Sequence, residues 1–470
     1  MLEAITEEEA DQEGGWVPEA YDGPTGRHKR LEEKNKAAIK GFLGGGRRAN
    51  AVVLFPSYYG DLLTWALQRH IEREGWQVLR TLGYHSSEPA YTDVSTDCDT
   101  KENLLMEGQL LLEKGDSRLI VTVELYWRHR NSVRAEGVAR NKAEVERLIE
   151  GVQTIAWEEN FYRGKNIEFT GHPRFLSLSP RSWEGIVVDS STKEEVRANT
   201  VGFLRRRELW EKCGMPLKRG VLLGGDPGTG KTIVCKAIIA EAEGVTCITT
   251  NAYCLTADEY VTDLYEMAQD LSPCIVFIED IDLIGQNREE YGYQRGPALL
   301  SLLAVLDGVE ERQGIVTVAT TNSLTVLDKA LSQRPSRLDC VIEIPRPTLE
   351  QRKQVVGLLC RKIVVDEATQ EYIAHKAEGC TPAQLQEVVY SLAIQHSREA
   401  PGGKALEGQP PCLEVSKEDV DAVISRVTRR NRHRIGFDVP GKHNGHRAGY
   451  VEAWSDDRQA PLEIEWGGTV

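Results

Sequence analysis

The sequence has no long apolar segment and no paired cysteines. Its longest nearly apolar run, residues 297–306, is ten residues long, whereas a membrane helix needs ~20. Its ten cysteines are scattered singly, without a C-x-x-C pair, and several lie in apolar runs. This distribution favours reduced, structural cysteines over a metal site or a disulfide framework.

Positive charge is also scarce, above all at the start of the chain. Eight acidic residues and no Lys or Arg precede Arg27, the opposite of a secretory or transit sequence. Over the whole chain, 57 Lys and Arg against 72 Asp and Glu give a net charge of −15. An acidic chain binds nucleic acid or an anionic membrane poorly. We therefore expect a cytoplasmic protein without membrane contact, and nucleic acid is disfavoured as its partner.

The first part of the chain divides into a tail and a mixed domain. The length of 470 residues suits two to four domains, and 40% hydrophobic residues are typical of a globular protein. Residues 1–48 are highly charged and close on Gly44-Gly45-Gly46, which predicts a flexible tail and hinge. Helical and alternating patterns are mixed in residues 49–172, which indicates an α+β domain without a chemical motif.

The second part predicts an α/β domain followed by helices. In residues 173–345 apolar runs alternate with helical stretches, which favours a parallel sheet between two helical layers. Helical periodicity dominates residues 346–430, and residues 431–470 resemble a loosely ordered tail. The five strand-like runs are GVLLGG, TCITT, CIVFIED, GIVTVAT and CVIEIP.

A phosphate-binding loop is predicted at residues 225–232, GDPGTGKT, between a strand and a helix. Glycines let backbone N–H groups surround a phosphate, and the helix N-terminus adds partial positive charge. In this pattern Lys231 reaches the β- and γ-phosphates and the Thr232 hydroxyl ligates Mg²⁺. ATP and Mg²⁺ are therefore the expected cofactors, although nothing in the sequence explains the Asp at position 226. The expected binding residues are Gly225, Asp226, Pro227, Gly228, Thr229, Gly230, Lys231, Thr232 and Ile233.

Candidate catalytic side chains follow two further strand-like runs. Glu279 and Asp280 end one run, where one carboxylate can orient Mg²⁺ through water and the other can polarise the attacking water. The alternative is a pair of solvated acids, but their position after a phosphate loop favours catalysis. Asn322 ends the other run and either holds the attacking water or caps a turn. Arg334 and Arg337 either lie on a solvated loop or reach a neighbouring subunit's γ-phosphate.

Five motifs in order make residues 183–427 resemble the AAA ATPases. The resemblance implies a P-loop NTPase αβα sandwich, a helical lid and a ring of usually six identical subunits, with ATP at each subunit interface. It also implies that Asn322 is the sensor and that Arg334 and Arg337 are arginine fingers acting in trans. The matching segments are RGVLLGGDPGTGKT, SPCIVFIEDIDLIG, LLSLLAVLDGV, VATTN and LDKALSQRPSRLD.

The acidic pair departs from the usual family order of Asp before Glu. By position, Glu279 takes the Mg²⁺ role, through water, and Asp280 activates the attacking water. The Glu-Asp order also occurs in the mitochondrial Rieske-protein-translocating (Bcs-type) branch, which the segment before the phosphate loop resembles too. No counterpart of that branch's membrane helix is found, so membrane translocation is not expected.

The segments where unfoldases of this family carry pore loops are also unusual. Tyr253-Cys254-Leu255 lacks the glycine of an aromatic–hydrophobic–glycine loop, so Tyr253 either grips a substrate or is buried. Tyr291 and Tyr293 lie where a second pore loop would fall, and an exposed turn is the alternative.

The leading hypothesis is an ATP-hydrolysing ring that remodels, disassembles or translocates proteins selected by residues 49–172. A nucleic-acid-dependent ATPase is the first alternative, and only the basic cluster at residues 429–434 supports it. The second alternative is a slow, ATP-gated assembly scaffold or switch, because Asp280 replaces the usual glutamate.

Overall fold

The structure is a computed structural model, in which two β-sheets are followed by a helical bundle. The residues that it describes are 26–84, 87–127, 130–179, 181–255, 258–282, 302, 313–324, 338, 340–363, 365–396 and 415–430.

The N-terminal domain is an antiparallel sheet with two helices on one face. Its strands are β1 (Arg48–Pro56), β2 (Gln77–Leu82), β3 (Ala90–Ser95), β4 (Lys101–Lys114), β5 (Ser117–Trp127) and β6 (Arg130–Val138). They run in the order β1-β6-β5-β4, and β2 and β3 both pair with β4. Helices α2 (Gly60–Glu74) and α3 (Lys142–Glu158) cover the face that carries Val121 and Val133. This is the expected α+β arrangement.

Helix α1 (Gly26–Leu43) corrects the predicted extent of the flexible N-terminal segment. It packs on the opposite face of the sheet, where Leu43 contacts a small cluster of Leu82, Leu111 and Ile120. The expectation of a tail up to residue 48 is therefore wrong for these residues. Four apolar residues on one side of a charged helix are enough to dock it, and overall composition does not reveal such a stripe.

The second sheet has seven strands, in the order β13-β9-β12-β11-β10-β7-β8. Its strands are β7 (Asn166–Phe169), β8 (Pro173–Phe175), β9 (Lys218–Gly224), β10 (Thr246–Asn251), β11 (Cys274–Glu279), β12 (Ile315–Thr321) and β13 (Cys340–Glu343). All neighbours pair in parallel except β7 and β8. The five predicted runs are the five strands β9 to β13, which confirms the parallel sheet. The boundary expected at residue 172 cuts between β7 and β8, which both belong to this sheet.

Helices cover both faces of this sheet, as an αβα sandwich requires. On one face lie α4 (Ser190–Asn199), α5 (Val201–Arg205), α6 (Arg207–Lys212) and α7 (Lys231–Glu241). On the other face α8 (Asp258–Asp270) packs in one continuous core with the N-terminal domain. Successive strand residues alternate between the two cores, so Phe277 contacts the first layer and Val276 the second.

In the described residues that follow the sheet, four helices form the lid, as the sequence predicts. They are α9 (Leu349–Leu359), α10 (Glu367–Lys376), α11 (Pro382–His396) and α12 (Lys417–Arg430). Helix α9 begins with a reciprocal capping box between Thr348 and Gln351. Among the residues that the structure describes, no helix is long and apolar enough to cross a membrane.

Candidate active site

The loop between β9 and α7 has a backbone that requires glycine. Gly225 and Gly230 have φ values of +152° and +110°, which residues with a side chain rarely adopt. A Cβ atom on Gly225 would also lie 2.3 Å from the carbonyl oxygen of Ile344. The two glycines therefore allow the loop to pack against the segment that follows β13 and to end at the N-terminus of α7.

Lys231 is the first residue of α7, and its charge lies within the loop. Its ammonium group donates to the carbonyl oxygens of Gly225 at 2.7 Å and Asp226 at 3.0 Å. Burial lowers the pKa of Lys231, and nearby carboxylates, Asp280 first among them, partly oppose that shift. A desolvated ammonium beside a helix N-terminus is a favourable site for a polyphosphate anion.

Two adjacent parallel strands bring the predicted catalytic groups to one edge of the sheet. Asp280 follows β11 and Asn322 follows β12, and the side-chain amide of Asn322 donates to a carboxylate oxygen of Asp280 at 3.0 Å. The Asp280 N–H donates to the Thr320 hydroxyl at 3.1 Å. Asp280 also has a φ of +52°, which is uncommon outside glycine. Its carboxylate is therefore held in a defined position.

Asp282 is a site residue to which the sequence assigns no role. It is buried and accepts hydrogen bonds from the Thr321 hydroxyl at 3.0 Å and from the Asn322 N–H at 3.2 Å. Asp282 thus fixes the backbone of Asn322, whose side chain in turn holds Asp280. The signal for Asp282 in the sequence is a third acid just after the predicted pair, separated from it only by Ile281.

Glu279 has a different environment from its neighbour. Burial and the adjacent Asp280 raise the pKa of Glu279, and Lys236 opposes this shift. Two adjacent carboxylates of this kind favour a bound cation, since it would relieve both desolvation and repulsion. The donor set therefore fits Mg²⁺. Asp280 lines the cavity described next, whereas Glu279 is not among the described residues that line it.

A cavity of ≈ 820 Å³ lies between the loop and the lid. Its lining includes the polar residues Lys231, Asp280 and Asn322 and the apolar residues Ile186 and Leu359, the last from the lid. Such a mixed lining suits the polyphosphate and the base of a nucleotide. Residues 186–188, an apolar triplet before α4, are lining residues that the sequence analysis leaves without a role.

The predicted site residues divide into four groups. Residues 227–233 line the cavity with Asp280 and Asn322, and the carbonyl oxygens of Gly225 and Asp226 accept from Lys231. Glu279 directly precedes Asp280 but is not among the described residues that line the cavity. Tyr253 is 72% exposed on a turn, so the interpretation of a buried tyrosine is wrong. Four predicted residues lie outside the described part of the chain, namely Tyr291, Tyr293, Arg334 and Arg337.

Comparison with known families agrees with this geometry. Residues 221–346 match the model of the ATPase family associated with various cellular activities (AAA). The match confirms the predicted P-loop NTPase fold and the predicted ATPase. The roles assigned to Glu279 and Asp280 and the likeness to the Bcs-type branch stay predictions.

Curated relatives of this chain include ATP-dependent zinc metalloproteases named FtsH. The protein of Acidothermus cellulolyticus is 36% identical over 282 residues, which are 57% of this chain and 40% of the relative. That of Parabacteroides distasonis is 31% identical over 264 residues, 52% of this chain and 36% of the relative. FtsH 2 of Bdellovibrio bacteriovorus is 34% identical over 259 residues, 51% of this chain and 39% of the relative. The chain therefore spans about two fifths of these relatives.

The names of these relatives include zinc. The sequence of this chain contains no H-E-x-x-H segment. Within the described residues, no three His, Cys, Asp or Glu side chains gather as metal ligands would.

Proposed function

We propose that this protein is a cytoplasmic, ATP-driven ring, in the simplest case a homohexamer, that remodels or translocates protein substrates. The observation that carries the proposal is that Lys231, Asp280 and Asn322 line one cavity. Similarity to ATP-dependent proteases supports a protein as the substrate. The Glu279-Asp280 order further suggests a place near the Bcs-type branch.

In this mechanism the loop N–H groups and Lys231 bind the β- and γ-phosphates of ATP. Thr232 and, through water, Glu279 would hold Mg²⁺, which neutralises phosphate charge when bound. Asp280 accepts a proton from the attacking water, and Asn322 keeps its carboxylate in place. Arg334 and Arg337 of the next subunit would stabilise the charge that develops on the γ-phosphate.

The position of Tyr253 supports contact between the proposed ring of subunits and a polypeptide. The aromatic side chain of Tyr253 is exposed, while Leu255 two residues later is fully buried. The turn is closed by Asn251, whose side-chain oxygen accepts from the N–H of Cys254 at 3.0 Å. An exposed aromatic ring on an anchored turn is suited to grip a chain, and residues 49–172 would select it.

The test compares ATP hydrolysis and substrate capture in two variants. Lys231→Ala should lose ATP binding and hydrolysis together. Asp280→Asn should bind ATP but hydrolyse it at least about 100-fold more slowly, the usual loss when a general base is removed. Proteins recovered from lysate only on the ATP-loaded Asp280→Asn ring would support remodelling.

Each contrary result would contradict a different part of the proposed function. Undiminished hydrolysis in Lys231→Ala would contradict the assigned ATP site. Recovery of nucleic acid instead of protein would favour a nucleic-acid-dependent ATPase. An intact, ATP-loaded ring that captures nothing would contradict remodelling and favour a slow assembly switch.

A further inference from the structure

Asp226, the acid that the sequence leaves unexplained in the phosphate loop, is one end of a bridge to the lid. One of its carboxylate oxygens accepts from Nε of Arg346 at 2.6 Å. The Nη1 group of Arg346 donates to the carbonyl oxygen of Gly379 at 2.6 Å. A single guanidinium therefore joins the loop, the segment after β13 and the lid just before α11.

A second contact joins the same two parts of the protein. The N–H of Ala383, in the first turn of α11, donates to the carbonyl oxygen of Gly228 at 3.2 Å. A Cβ atom on Gly228 would lie 2.8 Å from the Cβ atom of Ala383. The start of α11 is thus packed directly on the loop, and Arg346 links it from the side.

Residue 226 also contacts the phosphate-binding lysine. Its carbonyl oxygen accepts from Lys231 at 3.0 Å and from the Thr229 hydroxyl at 2.9 Å. When Lys231 turns its ammonium group to phosphate oxygens, residue 226 loses one of these contacts. The side chain of Asp226 is at the same time bound by Arg346. Asp226 and Arg346 therefore form a hydrogen-bonded chain from Lys231 to the lid.

Because the ion pair between Asp226 and Arg346 is exposed, we expect it to affect the position of the lid more than the stability of the protein. The side chains of Arg346 and Asp226 are 53% and 49% exposed, and exposed pairs contribute at most about 1 kcal/mol. A carboxylate in a phosphate-binding loop nevertheless repels a polyphosphate unless a cation neutralises it. Arg346 supplies that cation and, with a second N–H group, the link to the lid.

We propose that Arg346 is a positioning residue that couples nucleotide on the phosphate loop to closure of the lid. This inference rests on the proposed ATP site. Arg346 acts in two separable ways: its charge neutralises Asp226, and its forked donors connect Asp226 with Gly379.

Three variants of the full chain separate the two actions. Arg346→Gln should weaken binding of a fluorescent ATP analogue about 3- to 10-fold, because Asp226 is then unneutralised. Adding Asp226→Asn to Arg346→Gln should restore the affinity to within about 2-fold of the wild type, for the same electrostatic reason. Arg346→Lys should keep the affinity but lose the two-sided link, because lysine lacks the fork.

Lid closure is measured as ATP-dependent protection of residues 377–396 from hydrogen exchange at saturating ATP. Protection should be present in the wild type and reduced in all three variants, including the two that bind normally. The matched control is Lys353→Gln, which breaks an exposed pair with Glu371 within the lid, and it should change neither affinity nor protection.

Two results would overturn the inference. One is wild-type protection in ATP-saturated Arg346→Gln, and the other is a double variant that binds ATP no better than Arg346→Gln. A wild-type protein that binds no ATP, or a Lys231→Ala variant that binds it normally, would instead refute the proposed function.

Discussion

Three carboxylates lie at the end of strand β11 or just after it, and each has different neighbours. Glu279 is half-buried next to another acid, Asp280 is fixed by Asn322 at the cavity, and Asp282 is buried beneath them. The sequence predicts the first two because they end an apolar run after a phosphate loop. The sequence does not assign a role to Asp282, because the groups that donate hydrogen bonds to its carboxylate lie at the end of β12 and just after it, some forty residues later in the chain.

Asp282→Ala tests whether this buried carboxylate positions the sensor. The change leaves the Thr321 hydroxyl and the Asn322 N–H without their acceptor, a cost of about 1–3 kcal/mol in stability. Because Asn322 then no longer holds Asp280 in place, kcat for ATP hydrolysis should fall about 10-fold or more, with little change in KM. Steady-state kinetics and urea unfolding measure the two effects.

The matched control is Asp366→Ala, which removes another carboxylate that accepts a backbone N–H, here at the start of α10. It should lower stability and leave kcat unchanged. Equal losses of kcat in the two variants would show that Asp282 acts only through general stability.

At the scale of helices and strands, long apolar runs were predictable and short amphipathic ones were not. Strands β9 to β12 are buried on both faces and read as apolar runs. The edge strand β13 alternates buried and exposed residues. Strand β7 is four residues long with every second residue buried, and α1 docks through one narrow stripe. Such elements gain their stability from partners far along the chain, which local patterns do not contain.

Helix α8 carries an acid whose titration tests its packing against the N-terminal domain. Burial raises the pKa of Asp263 to about 6, and Glu266 and Glu259 add to the shift. Since the folded form then holds a proton that the unfolded chain releases, stability falls as pH rises from about 4 to about 6. Asp263→Asn should therefore increase stability at pH 7.5 by about 1–2 kcal/mol, and the gain should disappear near pH 4.

Urea unfolding of the full chain at several pH values measures this change. Asp366→Asn is the control with opposite sign, because hydrogen bonds from Thr369 hold the pKa of that carboxyl below its usual range. Asp366→Asn should lower the free energy of unfolding at neutral pH, and this effect should be smaller in acid. A gain from Asp263→Asn that is the same at every pH would contradict the assigned packing.

At the scale of the whole molecule, the N-terminal domain and the ATPase sheet share one core. Tyr58 packs edge-on against Phe169 with ring centroids 6.3 Å apart, and both belong to the cluster that includes Leu264 of α8. Lys165 and Asp97 form an ion pair of 2.5 Å across the same junction. Helix α8 is thus packed directly against the domain proposed to select substrate, a connection that depends on tertiary contacts and has no sequence signature.

Ring assembly with shared sites makes a quantitative prediction for mixed subunits. Arg337→Ala keeps its own phosphate loop but lacks one of the two arginines proposed to act at its neighbour's site, whereas Lys231→Ala binds no ATP but retains both arginines. Each variant alone should be inactive. In an equal mixture that exchanges at random, one interface in four pairs an intact loop with an intact arginine, so about a quarter of the wild-type rate should return. Inactive mixtures whose subunits demonstrably exchange, or full activity of Arg337→Ala alone, would show that the site is not completed in trans by Arg337.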